Sequence, residues 1–405
     1  MISFLEISSL CLFGGFLGYL TFLSVLALVA RTKSDFPSST LRRFAIVIPA
    51  HDEELAIEKT LRSVLAVDYP KNLFDVFVIA DNCTDSTATL AKNSGAIVFE
   101  RTNTTQRGKG YALRWCFDLL VSKLPMDAGI VVIDADSVMS SNFLRVMNHY
   151  LENGARAIQS SDLVEPMPGS WSSEVTRIGF TLYNYARPLG RRVIGCSVGL
   201  RGNGMCFATD LLCRVPWNAY SQAEDLEYGL QLLLNDISVV FAPEARVLAT
   251  MPQVASNAKS QRARWELGRY SVINRYAMQL LKKAVKQMSF KVVDALIDLV
   301  TPPFVNLLAG VAGMFGATLL LSLFGVQGAM HFVWAWIILM CLGMVHVLLG
   351  LAAARADRQL YKALFFIPRY VLWKFLLYLA VCLHGHGPEW IRTKREITIP
   401  QIQRK

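Results

Sequence analysis

The sequence predicts an α/β fold, a doubly wound and mostly parallel sheet, joined to α-helical transmembrane segments. Three observations carry this. Short β-branched or aromatic runs alternate with helical periodicity between residues 44 and 133, the pattern of strands in a parallel sheet covered by helices. Each of these runs ends in polar residues, and such sheets bind their ligands beyond the carboxyl ends of the strands. Long uncharged apolar runs flank the region on both sides.

In chain order, Leu10–Ala30 is apolar and long enough to cross a bilayer. Glu6 precedes it instead of a basic n-region and no A-x-A site follows, so an anchor is expected and not a cleaved signal. Strands are expected at Phe44–Ile48, Val76–Ile79, Ala96–Phe99 and Ile130–Ile133. Between the first two, Ile57, Leu61, Val64 and Leu65 recur at helical spacing behind Asp52-Glu53-Glu54, acids that suit a helix N-terminus. Tyr111–Val121 reads as a second helix, and Glu224-Asp225 precede a third with Leu226, Leu230, Leu233 and Leu234 on one face. A basic amphipathic stretch runs from Gln261 toward Lys286. Further spans are expected at Pro303–Phe324 and Phe332–Ala354, joined by the Gly325–His331 loop. Phe365–Leu383 carries Pro368, Arg369 and Lys374 and reads as an interfacial helix, with another span as the alternative.

The expected organisation is an anchor over 1–33, a cytosolic domain over 43–255 and interfacial helices over 256–300. A membrane region over 301–384 and a basic tail over 385–405 complete it. Basic residues flank every span on the side facing the middle segment (Arg31, Lys33; Lys282, Lys283, Lys286; Arg355, Arg358), which places that segment in the cytosol of a multi-pass plasma-membrane protein, a bacterial inner membrane being the natural setting.

The chain has 405 residues, 53% of them hydrophobic and 18% charged, a mixture that suits soluble and membrane parts in one polypeptide. Its net charge of +10 sits in clusters beside apolar segments, and no nucleic-acid-binding motif accompanies them. Membrane lipid and anionic substrates are therefore the expected partners, and nucleic acid is not. Eight cysteines occur without C-x-x-C pairs, which argues against zinc and against a disulfide framework.

The chemistry concentrates at Asp134-Ala135-Asp136, directly after the strand Ile130–Ile133. On an extended backbone residues i and i+2 point the same way, so both carboxylates are expected to face one point. Such oxygen ligands suit a hard divalent cation shared with a phosphate. The other strand ends supply Pro49-Ala50-His51-Asp52-Glu53, Asp81-Asn82, and Glu100-Arg101 leading to Arg107-Gly108-Lys109. Acids for a base, a ribose and a cation, with a glycine-flanked lysine for phosphate, describe a nucleotide site.

With these residues placed, the chain resembles the inverting, membrane-bound glycosyltransferases of family 2, the group of cellulose, chitin and hyaluronan synthases, from about Phe44 to Trp265. The opening signature matches Ile48-Pro49-Ala50-His51-Asp52-Glu53-Glu54, with Asp52 where the family often has Asn. The family's uridine-binding Asp matches Asp81, its D-x-D Asp134 and Asp136, its E-D pair Glu224-Asp225, and its Q-x-x-R-W Gln261, Arg264 and Trp265. The resemblance implies a GT-A-type sheet and a set of roles. Asp81 would meet the uracil and Glu53, with Pro49, would line the nucleoside pocket. Lys109 would neutralise diphosphate, Asp136 would bind Mg²⁺ or Mn²⁺, and Asp134 would sit nearer the ribose or beside the metal. Asp225 would be the general base, beside Glu224. Arg264 would meet the diphosphate, and Trp265 the acceptor sugar. Gly202-Asn203-Gly204-Met205-Cys206 departs from the aromatic-cysteine-glycine motif of the large synthases, which puts long-chain processivity in doubt.

The expected function is transfer of a sugar, glucose or N-acetylglucosamine, from a UDP-sugar to a growing polysaccharide at the cytosolic membrane face, with inversion. Single addition to a lipid or lipid-linked acceptor is the enzymatic alternative. A catalytically silent scaffold or export partner is the alternative of another class. An export partner or a homo-oligomer is compatible with either.

Overall fold

The computed structural model describes residues 2–166, 171–250 and 255–372, with side chains over 4–166, 171–250 and 266–372. The side chains of Gln261, Arg264 and Trp265, residues 373–383 of the expected interfacial helix, and the 385–405 tail lie outside the described residues.

The four apolar runs before residue 134 form one parallel half-sheet. β1 (Phe44–Ala50), β2 (Phe74–Asp81), β3 (Ile97–Arg101) and β4 (Gly129–Val132) pair in the order β3-β2-β1-β4. β1, β2 and β4 are almost wholly buried on both faces, which is why they read as continuous apolar runs and do not alternate. Helices Ile57–Leu65 and Lys109–Leu120 supply two of the three crossovers, each turning Ile, Leu or Phe residues inward, and Thr87–Asn93 supplies the one between β2 and β3. Pro49 is tolerated in a central strand because β4 pairs β1 only through Val47.

The second half of the sheet is mixed. β5 (Ser137–Met139), β6 (Ala157–Val164), β7 (Met205–Ala208) and β8 (Val239–Ala249) extend the order to β3-β2-β1-β4-β7-β6-β8-β5. β7 runs antiparallel to β4 and β6, β8 is parallel to β6, and β5 is antiparallel to β8. No strand was expected past Ile133. The physical reason is that β5 and β7 are very short, and β6 (Ala-Ile-Gln-Ser-Ser-Asp-Leu-Val) buries a polar run that breaks any apolar signature.

Residues 33–165 and 199–279 form the unit that holds this sheet. Residues 1–32, 166–198 and 280–387 form a second, helical unit, described here to residue 372. In it three helices are long and apolar enough to cross a membrane: Phe4–Val29, Phe304–Leu323 and Ala329–Ala353. Small residues let helices meet closely: a Cβ at Gly190 would overlap the Leu23 backbone. Several of its buried charged side chains find their partners within the unit. Glu6 accepts from the Thr318 hydroxyl (2.5 Å) and the Trp336 indole (2.8 Å). Arg191 bridges Asp294 (2.7 Å) and Asp298 (2.9 Å), and Arg187 pairs with Asp298 at 2.6 Å.

Candidate active site

The polar residues after β4 face the loop that leads into β7, because Met205 of β7 lies opposite Val132 of β4, and the ends of β1 and β2 lie along the same edge of the parallel half-sheet. Sequence brings them there in three ways.

The first is left-handed backbone. Asp52 and Asn82, just past β1 and β2, have φ of 54° and 52°. Asn and Asp tolerate that region best among residues with a Cβ, so Asp in place of the family's frequent Asn at position 52 satisfies the same turn. Asp52 Oδ1 accepts the Thr84 and Asp85 amides at 2.6 and 3.3 Å, which ties the two loops together. Asp52, Cys83 and Asp85 form a half-buried group of three ligand-type side chains. Burial pushes the Cys83 thiol up to about 11, so it stays protonated, and Asp52 is spent on the amides. We read this group as a loop clasp.

The second is a buried ion pair. Asp81 ends β2, and its Oδ1 is 2.6 Å from Arg101 Nη1 at the end of β3, with Asn82 Nδ2 at 3.0 Å. His51 Nδ1 lies 2.7 Å from the Asp81 carbonyl. Arg101 also donates to the Gln106 carbonyl at 2.8 Å and so shapes the loop running to Lys109. Glu53 is half-buried, and its amide donates to the Thr87 hydroxyl at 2.7 Å.

The third concerns Asp134 and Asp136. They do not extend a strand, as the spacing suggested. β4 stops at Val132 and the two acids occupy the turn before β5. Thr60 fixes that turn: its hydroxyl donates to the Ala135 carbonyl (2.8 Å) and accepts from the Ser137 amide (3.1 Å). Asp134 reaches Lys109, whose Nζ is 2.5 Å from Oδ1 and 2.6 Å from the Gly202 carbonyl. Ser137 Oγ donates to Asp136 Oδ1 at 3.3 Å, and the Asp136 carbonyl accepts the Thr250 amide.

Glu224 and Asp225 are the first two residues of helix Glu224–Leu234, so the helix begins at the pair and not after it. They meet the Lys109 cluster at Gly202, where a Cβ would sit 3.2 Å from Asp225 Oδ2 and 3.7 Å from Lys109 Nζ. Gly202 has φ +83°, so a side chain there would be both strained and in the way. Burial, opposed by Lys109 and reinforced by Asp225, raises Glu224 to about 7. Burial also raises Asp225, against its helix amide and the Lys109 and Arg201 charges. For Lys109, burial works against the charge, but Asp134 and then Glu224 outweigh it and hold the ammonium above its ordinary value.

Several contributors were not anticipated. Asn203 is buried and bridges the site: Oδ1 accepts the Asp134 amide (3.1 Å), and Nδ2 donates to Ser137 Oγ (2.9 Å) and Asp162 Oδ1 (3.1 Å). Burial, then the Asp134 charge, push the Asp162 carboxyl well above the carboxylate range. Gln159 holds the neighbouring loop through the Arg201 amide and the Asn203 carbonyl. The available signal was the Gln-Ser-Ser-Asp run inside an otherwise apolar β6. Gly204, at φ +68°, has room for no Cβ beside Ser160 Oγ. Gly204→Ala is therefore expected to cost about 1–3 kcal/mol, read as a lowered thermal midpoint, and to disturb the Asn203 bridge.

Glu227, fully buried, pins the same helix. Its Oε2 accepts the amides of Tyr220 and Ser221 (3.2 and 3.0 Å), and Oε1 accepts from Arg275 (2.8 Å) and Tyr276 (3.1 Å). Arg275 and Tyr276 belong to helix Ala255–Gln287, whose backbone carries Gln261, Arg264 and Trp265. Gly268 of that helix would press a Cβ to 3.0 Å from the Ala223 nitrogen, so the two backbones meet next to Glu224.

Comparison with known proteins agrees with this architecture. The solved mannosyltransferase PcManGT of Pyrobaculum calidifontis, in complex with GDP-Man and Mn²⁺, is 14% identical. It aligns over 88% of this chain and 100% of that one with a TM-score of 0.57, a likeness of fold. A beta-monoglucosyldiacylglycerol synthase of Nostoc sp. is 26% identical over 237 residues, 56% of this chain and 48% of the relative. The probable glycosyltransferase YdaM of Bacillus subtilis is 23% identical over 287 residues, 68% of this chain and 66% of that one. The chain thus spans about half the length of the first of these curated relatives. Residues 42–268, which include β1 to β8, Asp81, Asp134, Asp136 and the Glu224-Asp225 pair, match the model of the glycosyltransferase-like family 2, and the chain belongs to that family.

Proposed function

We propose that this chain is an inverting glycosyltransferase that moves a hexose or N-acetylhexosamine from a UDP-sugar to a hydroxyl of an acceptor held at the cytosolic face of a membrane. The observation that carries the reading is the meeting of Lys109, Asp134 and Asp225 around Gly202, at the carboxyl ends of the parallel strands. A cation for diphosphate, carboxylates for a metal and a carboxylate of raised pKa are the three things such a transfer needs in one place.

In this reading Asp81, Glu53 and Pro49 hold the nucleoside, and Lys109 meets the diphosphate. The family implies a divalent ion, and the donor set fits one: Asp134 and Asp136 offer only hard oxygens within a strongly acidic group, as Mg²⁺ or Mn²⁺ requires. When bound, the ion supplies Lewis-acid stabilisation of negative charge on the leaving diphosphate. Asp225 takes the proton of the acceptor hydroxyl as that oxygen bonds to the anomeric carbon. The anomeric carbon–phosphate oxygen bond breaks, and its electron pair leaves with the nucleoside diphosphate. One base and one displacement invert the anomeric centre, so an α-linked donor gives a β-linked product. Gln261, Arg264 and Trp265 are assigned to the acceptor and diphosphate on their family match, with Glu224 beside them.

A growing polysaccharide is the first acceptor reading, on the Q-x-x-R-W motif. A lipid receiving one sugar is the second, favoured by the departure at 202–206 and by relatives named for glucosyldiacylglycerol synthesis. Incubating purified membranes with labelled UDP-glucose or UDP-N-acetylglucosamine separates them. A ladder of products supports a polymer, a single lipid-extractable product supports the lipid, and no transfer from any UDP-sugar contradicts both.

A further inference from the structure

Lys109 is bound in a cage of metal-type ligands. Its Nζ lies 2.5 Å from the Asp134 carboxylate and 2.6 Å from the Gly202 carbonyl, and a Cβ at Gly202 would meet both Asp225 Oδ2 (3.2 Å) and Lys109 Nζ (3.7 Å). Carboxylate and carbonyl oxygens are also the donors preferred by Mg²⁺ and Mn²⁺. Position 109 opens helix Lys109–Leu120 behind Gly108 (φ +112°). The neighbouring backbone is tightly seated, since a Cβ at Gly110 would overlap the Ala219 carbonyl. The ammonium therefore reaches these oxygens from a fixed base.

We propose that Lys109 is a built-in competitor of the divalent ion for Asp134, released only when a nucleoside diphosphate offers the ammonium another anion. This rests on the reading above that such a diphosphate binds here. The ion alone must take an oxygen already paired with a cation, and it then meets that cation at close range. A diphosphate alone lacks the second counter-charge. Each ligand removes the obstacle to the other, so ion and nucleotide bind with positive coupling, typically about 5–150-fold for linked sites. The consequence runs against intuition: removing a binding-site lysine strengthens ion binding.

The test is Mn²⁺ titration of the purified full-length protein, with free Mn²⁺ read by electron paramagnetic resonance, with and without UDP. Wild type is compared with Lys109→Met and with Lys109→Arg, which keeps the charge; circular dichroism checks folding. Without UDP, K109M is expected to bind Mn²⁺ about 10-fold more tightly than wild type, K109R is expected to resemble wild type, and the UDP-dependent gain is expected to shrink in K109M. If K109M cannot be folded, Lys109→Gln takes its place with the same expectation. Unchanged or weaker Mn²⁺ binding by the neutral variant, while wild type binds Mn²⁺ with UDP, overturns the competition alone. Absence of Mn²⁺ binding by wild type even with UDP overturns the functional reading and the competition with it.

Discussion

Asp225→Asn is expected to lower turnover by about 10²–10⁴-fold, the usual worth of a positioned general base, while UDP still binds within a few-fold of wild type. Asparagine keeps the shape of the side chain beside Gly202 but cannot accept a proton. The raised pKa gives the same claim a pH signature. A base works only when ionised, and burial holds Asp225 above the ordinary carboxylate range, with Glu224 beside it at about 7. Turnover should therefore begin to fall with decreasing pH earlier than an exposed aspartate would allow. The two acids titrate as a pair, so the profile belongs to both. Steady-state rates of UDP release across pH, for wild type and D225N, check both statements. An unaltered rate in D225N removes Asp225 from the chemistry.

The second large effect concerns the nucleoside end. Arg101 and Asp81 are buried together, with side chains 5% and 11% exposed and 2.6 Å between them. Removing one partner of a buried pair leaves an uncompensated charge and costs about 3–5 kcal/mol. Arg101→Met is thus expected to lower the thermal midpoint by about 10 °C, although Arg101 is assigned no contact with substrate. It should also weaken UDP binding, because Arg101 fixes both Asp81 and the Gln106 carbonyl on the way to Lys109. The double variant R101M with Asp81→Asn should recover part of the stability, since the stranded carboxylate is gone, without recovering UDP binding. Full stability in R101M contradicts the buried-pair account.

The parallel half of the sheet was legible because strands buried on both faces are continuous apolar runs, and crossovers announce themselves by helical spacing. The three long apolar helices were legible for the simpler reason that their length and lack of charge stand out in the sequence. The second half of the sheet was hidden by local polarity: β6 buries Gln159, Ser160, Ser161 and Asp162, with Gln159 and Asp162 bonded to the Arg201–Asn203 loop and Ser161 to Pro243 of β8. At the site, one-dimensional motifs named Asp81, Asp134, Asp136, Glu224 and Asp225. They gave no role to Asn203 or Arg101 and did not name Glu227, residues whose importance lies in long-range contacts. The D-x-D spacing suggested an extended strand, where Thr60 and Asn203 instead fix a turn.

The most direct measurement is calorimetric titration of UDP into the purified full-length protein, with and without Mn²⁺, in wild type and in Asp136→Ala. Binding that requires the ion in wild type, and is lost or weakened at least about tenfold in D136A, is the predicted result. UDP binding indifferent both to Mn²⁺ and to D136A contradicts a cation-bridged diphosphate at Asp134 and Asp136.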